Sequence, residues 1–286
     1  MKITGLKIHI FSSQHKNAKR NWLIVRLFTD EGIEGIGESS MLSNDPLVES
    51  LLEDWVQNYL IGKDPMSVEL HWTRLYLDNM DKGGRLFSTA LSGIDIALWD
   101  LKGKILNSPI YSLLGGPYQE KIRVYANGWY TTPGAPELNA EEALKVVEMG
   151  YTAMKFDPFG KIAYGTISPE EAQLAEDRVA AVRDAVGPNI DILVEVHARF
   201  NVYTAVGLAH RLEQYRPFWF EEPVSPENVS EMILAISSTL EGETTSPIRS
   251  AAICFIISRS PSKYNLISDL DSLPDIFRST IPVGPL

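Results

Sequence analysis

YTAMKF at Tyr151–Phe156, IDILVEV at Ile190–Val196 and FWF at Phe218–Phe220 are three short apolar runs separated by helical patterns. Ser168-Pro169-Glu170-Glu171 opens the first intervening helix with an N-cap residue and a proline at the first helical position. That helix is expected to reach Val186 and to stop at Gly187. A second helix is expected over Thr204–Tyr215. Upstream, Ile122–Ala126 reads as another short strand and Ala140–Met149 as an amphipathic helix capped by Gly150. The order is then β-α-β-α-β-α-β, the pattern of a parallel sheet or barrel.

In such a unit the side chains at the C-terminal strand ends line the working face. Here these are Lys155 and Asp157, then Glu195 and His197, then Glu221 and Glu222. Carboxylates on neighbouring strand tips repel one another unless a cation sits between them. An oxygen-ligated divalent ion, Mg²⁺, answers that need. Glu195-x-His197 keeps a period of two, so both side chains are expected on one side of the strand, a ligand next to a proton-transfer group. Lys155 and Glu222 have a plainer alternative, an ordinary ion pair. His9, His15, His71 and His210 lack such a setting and read as surface or core residues.

Working outward, residues 1–117 read as an α+β unit. Met1–Phe11, Trp22–Thr29 and Ile33–Gly37 are strands, with Asp30-Glu31-Gly32 as a hairpin signal. Helical patterns follow over Pro46–Leu60, Val68–Leu77 and Ser88–Leu106. Residues 118–236 hold the β/α rhythm. Residues 237–286 are rich in Ser, Thr and Pro, and no helix–strand alternation is legible in them.

The chain has 286 residues and a net charge of −11, which argues against a nucleic-acid partner. No apolar run is long enough for a membrane span, and the N-terminus does not read as a signal peptide. A single cysteine, Cys254, cannot form an internal disulfide and fits a reducing, cytoplasmic setting.

These residues carry a family resemblance. TDEGIEGIGES at Thr29–Ser39 and SGIDIALWDLKGKILNSPIYSLLGG at Ser92–Gly116 resemble the capping domain of the enolase superfamily, in its mandelate racemase/muconate-lactonizing branch. VYANGWY at Val124–Tyr130, MGYTAMKFDPFG at Met149–Gly160, DILVEVHARF at Asp191–Phe200 and FWFEEPV at Phe218–Val224 resemble its acid-sugar dehydratases of gluconate and galactonate type. The implied fold is α/β: an α+β capping domain followed by a truncated (β/α)8 barrel with about four recognisable βα units.

The resemblance also implies roles. The superfamily removes a proton α to a carboxylate, with Mg²⁺ offsetting the charge that develops. Glu195 and Glu221 match its first two metal ligands, and Glu195 stands where many relatives have Asp. Glu243, in Gly242-Glu243, is a remnant candidate for the third. His197 matches the general acid that protonates the leaving 3-hydroxyl. Lys155 matches the first lysine of a K-x-K motif whose second lysine is Asp157 here, which disfavours racemase-type chemistry. Capping-domain loops near Ser12–Asn21 and Asp81–Phe87 are expected to read the hydroxyls of a sugar-acid substrate.

The resemblance covers roughly residues 1–236. A whole barrel needs about 250 residues, and the strand-seven histidine base of the dehydratases has no counterpart. The break near Ser237 suggests a frameshift or an altered gene model, which sequencing across codons 230–286 checks. The leading expectation is a Mg²⁺-dependent dehydratase, forming a homo-oligomer or associating with a full-length homologue. The alternatives are a non-catalytic homologue and an epimerase or cycloisomerase of the same superfamily.

Overall fold

The computed structural model describes residues 1–15, 18–41, 44–78, 84–131, 134–160 and 164–225. The chain divides into two compact units, the first ending at Lys121 and the second beginning at Ile122.

The first unit is a three-stranded antiparallel meander covered by helices. Strands β1 (Ile3–His15), β2 (Ala18–Thr29) and β3 (Glu34–Glu38) lie in sequence order. Leu23, Val25 and Leu27 alternate along β2 and are fully buried, the period-two pattern of a sheet with one covered face. Helices α1 (Asp45–Trp55), α2 (Val68–Leu77) and α3 (Arg85–Ile105) follow, with one π-helical turn at Val56–Leu60 after α1. A short α4 spans Ile110–Leu113. Phe87, Ala90, Leu91, Ile94, Ala97, Leu98 and Leu101 form the buried stripe of α3, spaced by three and four as one helix face requires.

Glycines let α3 lie directly on β3. A Cβ at Gly37 would stand 2.0 Å from the Gly93 carbonyl oxygen, and one at Gly35 would stand 2.1 Å from that of Ala97. The glycine periodicity in TDEGIEGIGES is therefore a packing requirement. Asp100 accepts the Ile36 N–H at 2.8 Å, and Lys104 donates to the Glu34 carbonyl at 2.8 Å, so α3 side chains also satisfy the edge of β3.

The second unit is a parallel sheet with strands β4 (Ala153–Phe156), β5 (Asp191–Glu195) and β6 (Trp219–Glu221) in sequence order. Helices α5 (Pro136–Glu148), α6 (Pro169–Val186) and α7 (Val202–Leu212) precede or connect them. Met154, Phe156, Ile192, Leu193 and Val194 are all buried, as expected of strands covered on both faces. The Ser168 hydroxyl accepts the Glu171 N–H while the Glu171 carboxylate accepts the Ser168 N–H, a complete capping box. Asn201 caps α7 by accepting the Thr204 N–H at 2.9 Å. No described helix is long and apolar enough to cross a membrane.

Three expectations need correction. Ile122–Ala126 is not a strand: only Ala126 pairs, in parallel with Met154, while Ile122 and Val124 stay exposed. The described second unit therefore has three strands and two isolated bridges, Ala126–Met154 and Gly165–Phe200, rather than four strands. Of the first proposed loop, Ser12–His15 and Ala18–Asn21 are paired ends of β1 and β2, and residues 16 and 17 lie outside the described residues; Ser12 Oγ donates to Asn21 Oδ1 at 2.8 Å, and Asn21 donates to Asp45. In the second proposed loop, residues 81–83 lie outside the described residues, and Arg85–Phe87 is the first turn of α3. Glu243, Cys254 and residues 237–286 also lie outside the described residues.

Candidate active site

Strands β4, β5 and β6 end at Phe156, Glu195 and Glu221. Glu195 and Glu221 are direct neighbours in the parallel register, which brings two carboxylates to the same level of the sheet. Lys155, one residue before the end of β4, reaches across both. Its Nζ donates to Glu195 Oε2 at 2.8 Å and to Glu221 Oε1 at 2.9 Å. Glu221 Oε2 is buried and takes no hydrogen bond among the described residues. Tyr125 presents its ring 5.7 Å from Lys155 Nζ, a second favourable contact for the ammonium.

Each charge is tuned by its surroundings. Burial alone would lower the Lys155 pKa, but its hydrogen bonds to Glu195 and Glu221 hold it above the ordinary lysine value. Burial works to raise Glu195, and the Lys155 ammonium and the His197 N–H outweigh it, so Glu195 lies below the usual carboxylate value. Burial pushes Glu221 up, with Lys155 opposing and the Glu195 carboxylate adding to the rise. Two neighbouring glutamates thus depart in opposite directions.

A second cluster joins the first. Asp157 Oδ2 lies 3.0 Å from His197 Nδ1, and His197 Nε2 lies 4.0 Å from Glu195 Oε2. The Asp157 contact raises the His197 pKa above the ordinary imidazole value. Burial would raise Asp157, but hydrogen bonds from His197 and Arg199 lower it.

The expected route to the Glu195–His197 pairing is incorrect. Strand β5 stops at Glu195, and His197 and Ala198 both have φ of +56°. Left-handed residues break the pleat, so period two does not place the imidazole. What places it is the His197 N–H donating to Glu195 Oε1 at 2.9 Å and the Asp157 contact. Glu222, also left-handed, accepts the Ala198 N–H at its carbonyl at 2.8 Å and so ties the two turns together.

Sequence reasoning missed Arg199. It is buried and donates to both oxygens of Asp157 and to the Gly160 carbonyl. The signal was present: Glu195-x-His197-x-Arg199 follows an apolar strand, and an arginine there has little reason to be buried unless paired. His71, by contrast, is a buried structural residue between Tyr59 Oη at 3.0 Å and the Asp64 carbonyl at 2.8 Å.

The donor set suits a hard divalent cation. Two carboxylates meet at adjacent strand tips, and one of their oxygens is buried without a partner among the described residues, a position that suits a cation. Among the described residues, no group of three or more His, Cys, Asp or Glu side chains converges as a complete metal cage.

Comparison with known proteins fits this arrangement. Residues 6–115 match the mandelate racemase/muconate lactonizing enzyme N-terminal domain, and residues 139–244 match the enolase C-terminal domain-like family. A D-gluconate dehydratase of Thermoproteus tenax is 43% identical over 208 residues, which is 72% of this chain and 41% of that protein. A D-galactonate dehydratase family member of Marinomonas sp. is 33% identical over 92% of this chain and 68% of its own length. The crystal structure of an enolase superfamily member from Salmonella Typhimurium superimposes with a TM-score of 0.76 at 34% identity, covering 83% of this chain and 65% of that one. The chain thus spans less than half the length of the Thermoproteus relative and about two thirds of the other two.

Proposed function

The chain belongs to the mandelate racemase/muconate lactonizing enzyme branch of the enolase superfamily, and from that premise we propose that its site serves the dehydration of a sugar acid to a 2-keto-3-deoxy acid. Gluconate and galactonate are the substrate type, the class named for its relatives. The observation that carries this reading is the meeting of Glu195, Glu221 and the His197 imidazole at adjacent strand tips.

Glu195 and Glu221 are the proposed holders of Mg²⁺, with Glu243 as the third. The C-terminal family match runs through Glu243, to residue 244, which supports that choice. When bound, the ion supplies positive charge against the negative charge that develops on the substrate carboxylate. Lys155 bridges the two carboxylates and adds a hydrogen-bond donor to the same mouth.

Dehydration moves a proton from the carbon α to the carboxylate onto Nε2 of neutral His197 and expels the hydroxyl from the next carbon. His197 supplies the proton that lets this hydroxyl depart as water. The enol left behind takes up a proton at carbon and becomes the ketone. Asp157, in the place of a second lysine, puts a carboxylate where a lysine base would stand, which favours dehydration over racemisation at this side of the site.

The test is incubation of the full chain and Mg²⁺ with D-gluconate and D-galactonate, followed by a 2-keto-3-deoxy acid assay. A keto acid that disappears with His197→Asn supports the reading. Absence of product from both acids in wild-type protein overturns it.

A further inference from the structure

We propose that Arg199 is a positioning residue: by gripping Asp157 it fixes the His197 ring with the hydrogen on Nδ1 and with Nε2 presented to Glu195. This rests on the reading of His197 as the proton donor.

The geometry is specific. Asp157 Oδ1 accepts the Phe159 N–H at 2.9 Å and Arg199 Nη1 at 3.3 Å, and Oδ2 accepts Arg199 Nη2. The other contact of Nη1 is the Gly160 carbonyl at 2.8 Å, so one guanidinium clamps both the carboxylate and the backbone of the turn after β4. A carboxylate paired with arginine is ionised and only accepts hydrogen bonds. The hydrogen between Asp157 Oδ2 and His197, 3.0 Å apart, must therefore sit on Nδ1. Arg199 Nη2 lies 3.2 Å from the same nitrogen and could only donate to it, which would put the hydrogen on Nε2; the shorter contact to the ionised Asp157 carboxylate decides for Nδ1. Nε2 is then the nitrogen that gains and gives a proton.

Exposure separates the mount from the working group. The side chains of Arg199 and Asp157 are 9% and 8% exposed, against 56% for His197. Only the imidazole opens to a substrate. The two consecutive left-handed residues, His197 and Ala198, point the same way, since such backbone persists only where its surroundings hold it. The hold here is the clamp at the side chains and the Ala198 N–H to Glu222 carbonyl bond at the main chain.

The experiment is nitrogen NMR of histidine-labelled full chain, at a pH high enough to leave the ring neutral, with His197→Gln identifying the His197 signals. Wild-type protein is expected to show the Nδ1–H tautomer. In Asp157→Asn the side-chain amide donates to Nδ1, so the hydrogen should move to Nε2. In Arg199→Met the single tautomer should give way to a mixture, and Arg199→Lys should partly restore it. On any sugar acid that wild type converts, Asp157→Asn should lower kcat at least about tenfold with KM nearly unchanged. A wild-type ring with its hydrogen on Nε2, or an unchanged tautomer in Asp157→Asn, overturns the proposal. Should Arg199→Met fail to fold, Arg199→Gln replaces it, and a tautomer unchanged from wild type in the Arg199 variant overturns the proposal. Absence of turnover in wild type would refute the dehydratase reading while leaving the tautomer result to stand or fall separately.

Discussion

The seam between β3 and α3 in the first unit and the strand tips in the second are both tightly specified, but by opposite means. At the seam, side chains are removed: Gly35 and Gly37 let backbone approach backbone, and Gly93 makes room for the Ser39 side chain. At the tips, charges are added to a buried place: Lys155, Asp157, Glu195 and Arg199 are all buried. Apolar seams need only shape, whereas buried charges need partners and cost stability when left alone. Asp45 and Arg178 are buried elsewhere, each with its own partners, but at the tips the buried charges pair with one another. The contrast teaches where chemistry resides in this chain.

The largest effect is expected at the tips. Lys155→Met leaves two carboxylates facing each other in a half-dry site, and breaking such a buried set costs about 3–5 kcal/mol. Chemical denaturation measures it. Added Mg²⁺ should recover part of the loss, because a ligand that binds only the native state raises its stability. A variant as stable as wild type would break the contrast by showing that the tips are indifferent to charge.

Next comes the seam. Gly37→Ala puts a methyl 2.0 Å from the Gly93 carbonyl oxygen and should cost at least about 1–3 kcal/mol. This loss should be insensitive to Mg²⁺, which sharpens the distinction between the two regions. A smaller effect is expected for Ser168→Ala, which removes half of the capping box of α6 and should cost about 1 kcal/mol. Thermal melts that show no change would mean that α6 is held by packing alone.

The smallest change tests whether charge is tolerated away from the tips. Asp95 on α3 is held above the ordinary aspartate pKa by burial, with Glu69 adding to it. An acid whose folded pKa is raised opposes folding once it ionises. That penalty is absent below the unfolded pKa, grows as pH rises through the folded pKa and is complete above it. Asp95→Asn should therefore raise Tm at neutral pH and lose that advantage in acid. An advantage that persists at low pH would point to a cause other than charge.

Much of this was legible in the chain. Apolar runs ending in ionisable residues located the tips at Phe156, Glu195 and Glu221, and Ser168-Pro169-Glu170-Glu171 marked the start of α6. What could not be read depends on the third dimension. No periodicity announces that His197 and Ala198 turn left-handed, so the correct partner, Glu195, was reached by the wrong geometry. Arg199 was passed over because an arginine after a strand usually reaches water, and only the position of Asp157 on the neighbouring strand explains its burial. Ile122–Ala126 has strand-like residues, yet pairing needs a partner at the right distance, and only Ala126 finds one. The glycines of the seam were visible as a motif, but their reason, the closeness of α3, was not.

The most direct test of the central claim, that the strand tips form a divalent-cation site, is calorimetric titration of Mg²⁺ into the full chain and into Glu221→Gln. Wild-type protein is predicted to bind one ion, and the variant to bind it at least about tenfold more weakly. Equal affinity in the two proteins, or no binding to either, would contradict the account.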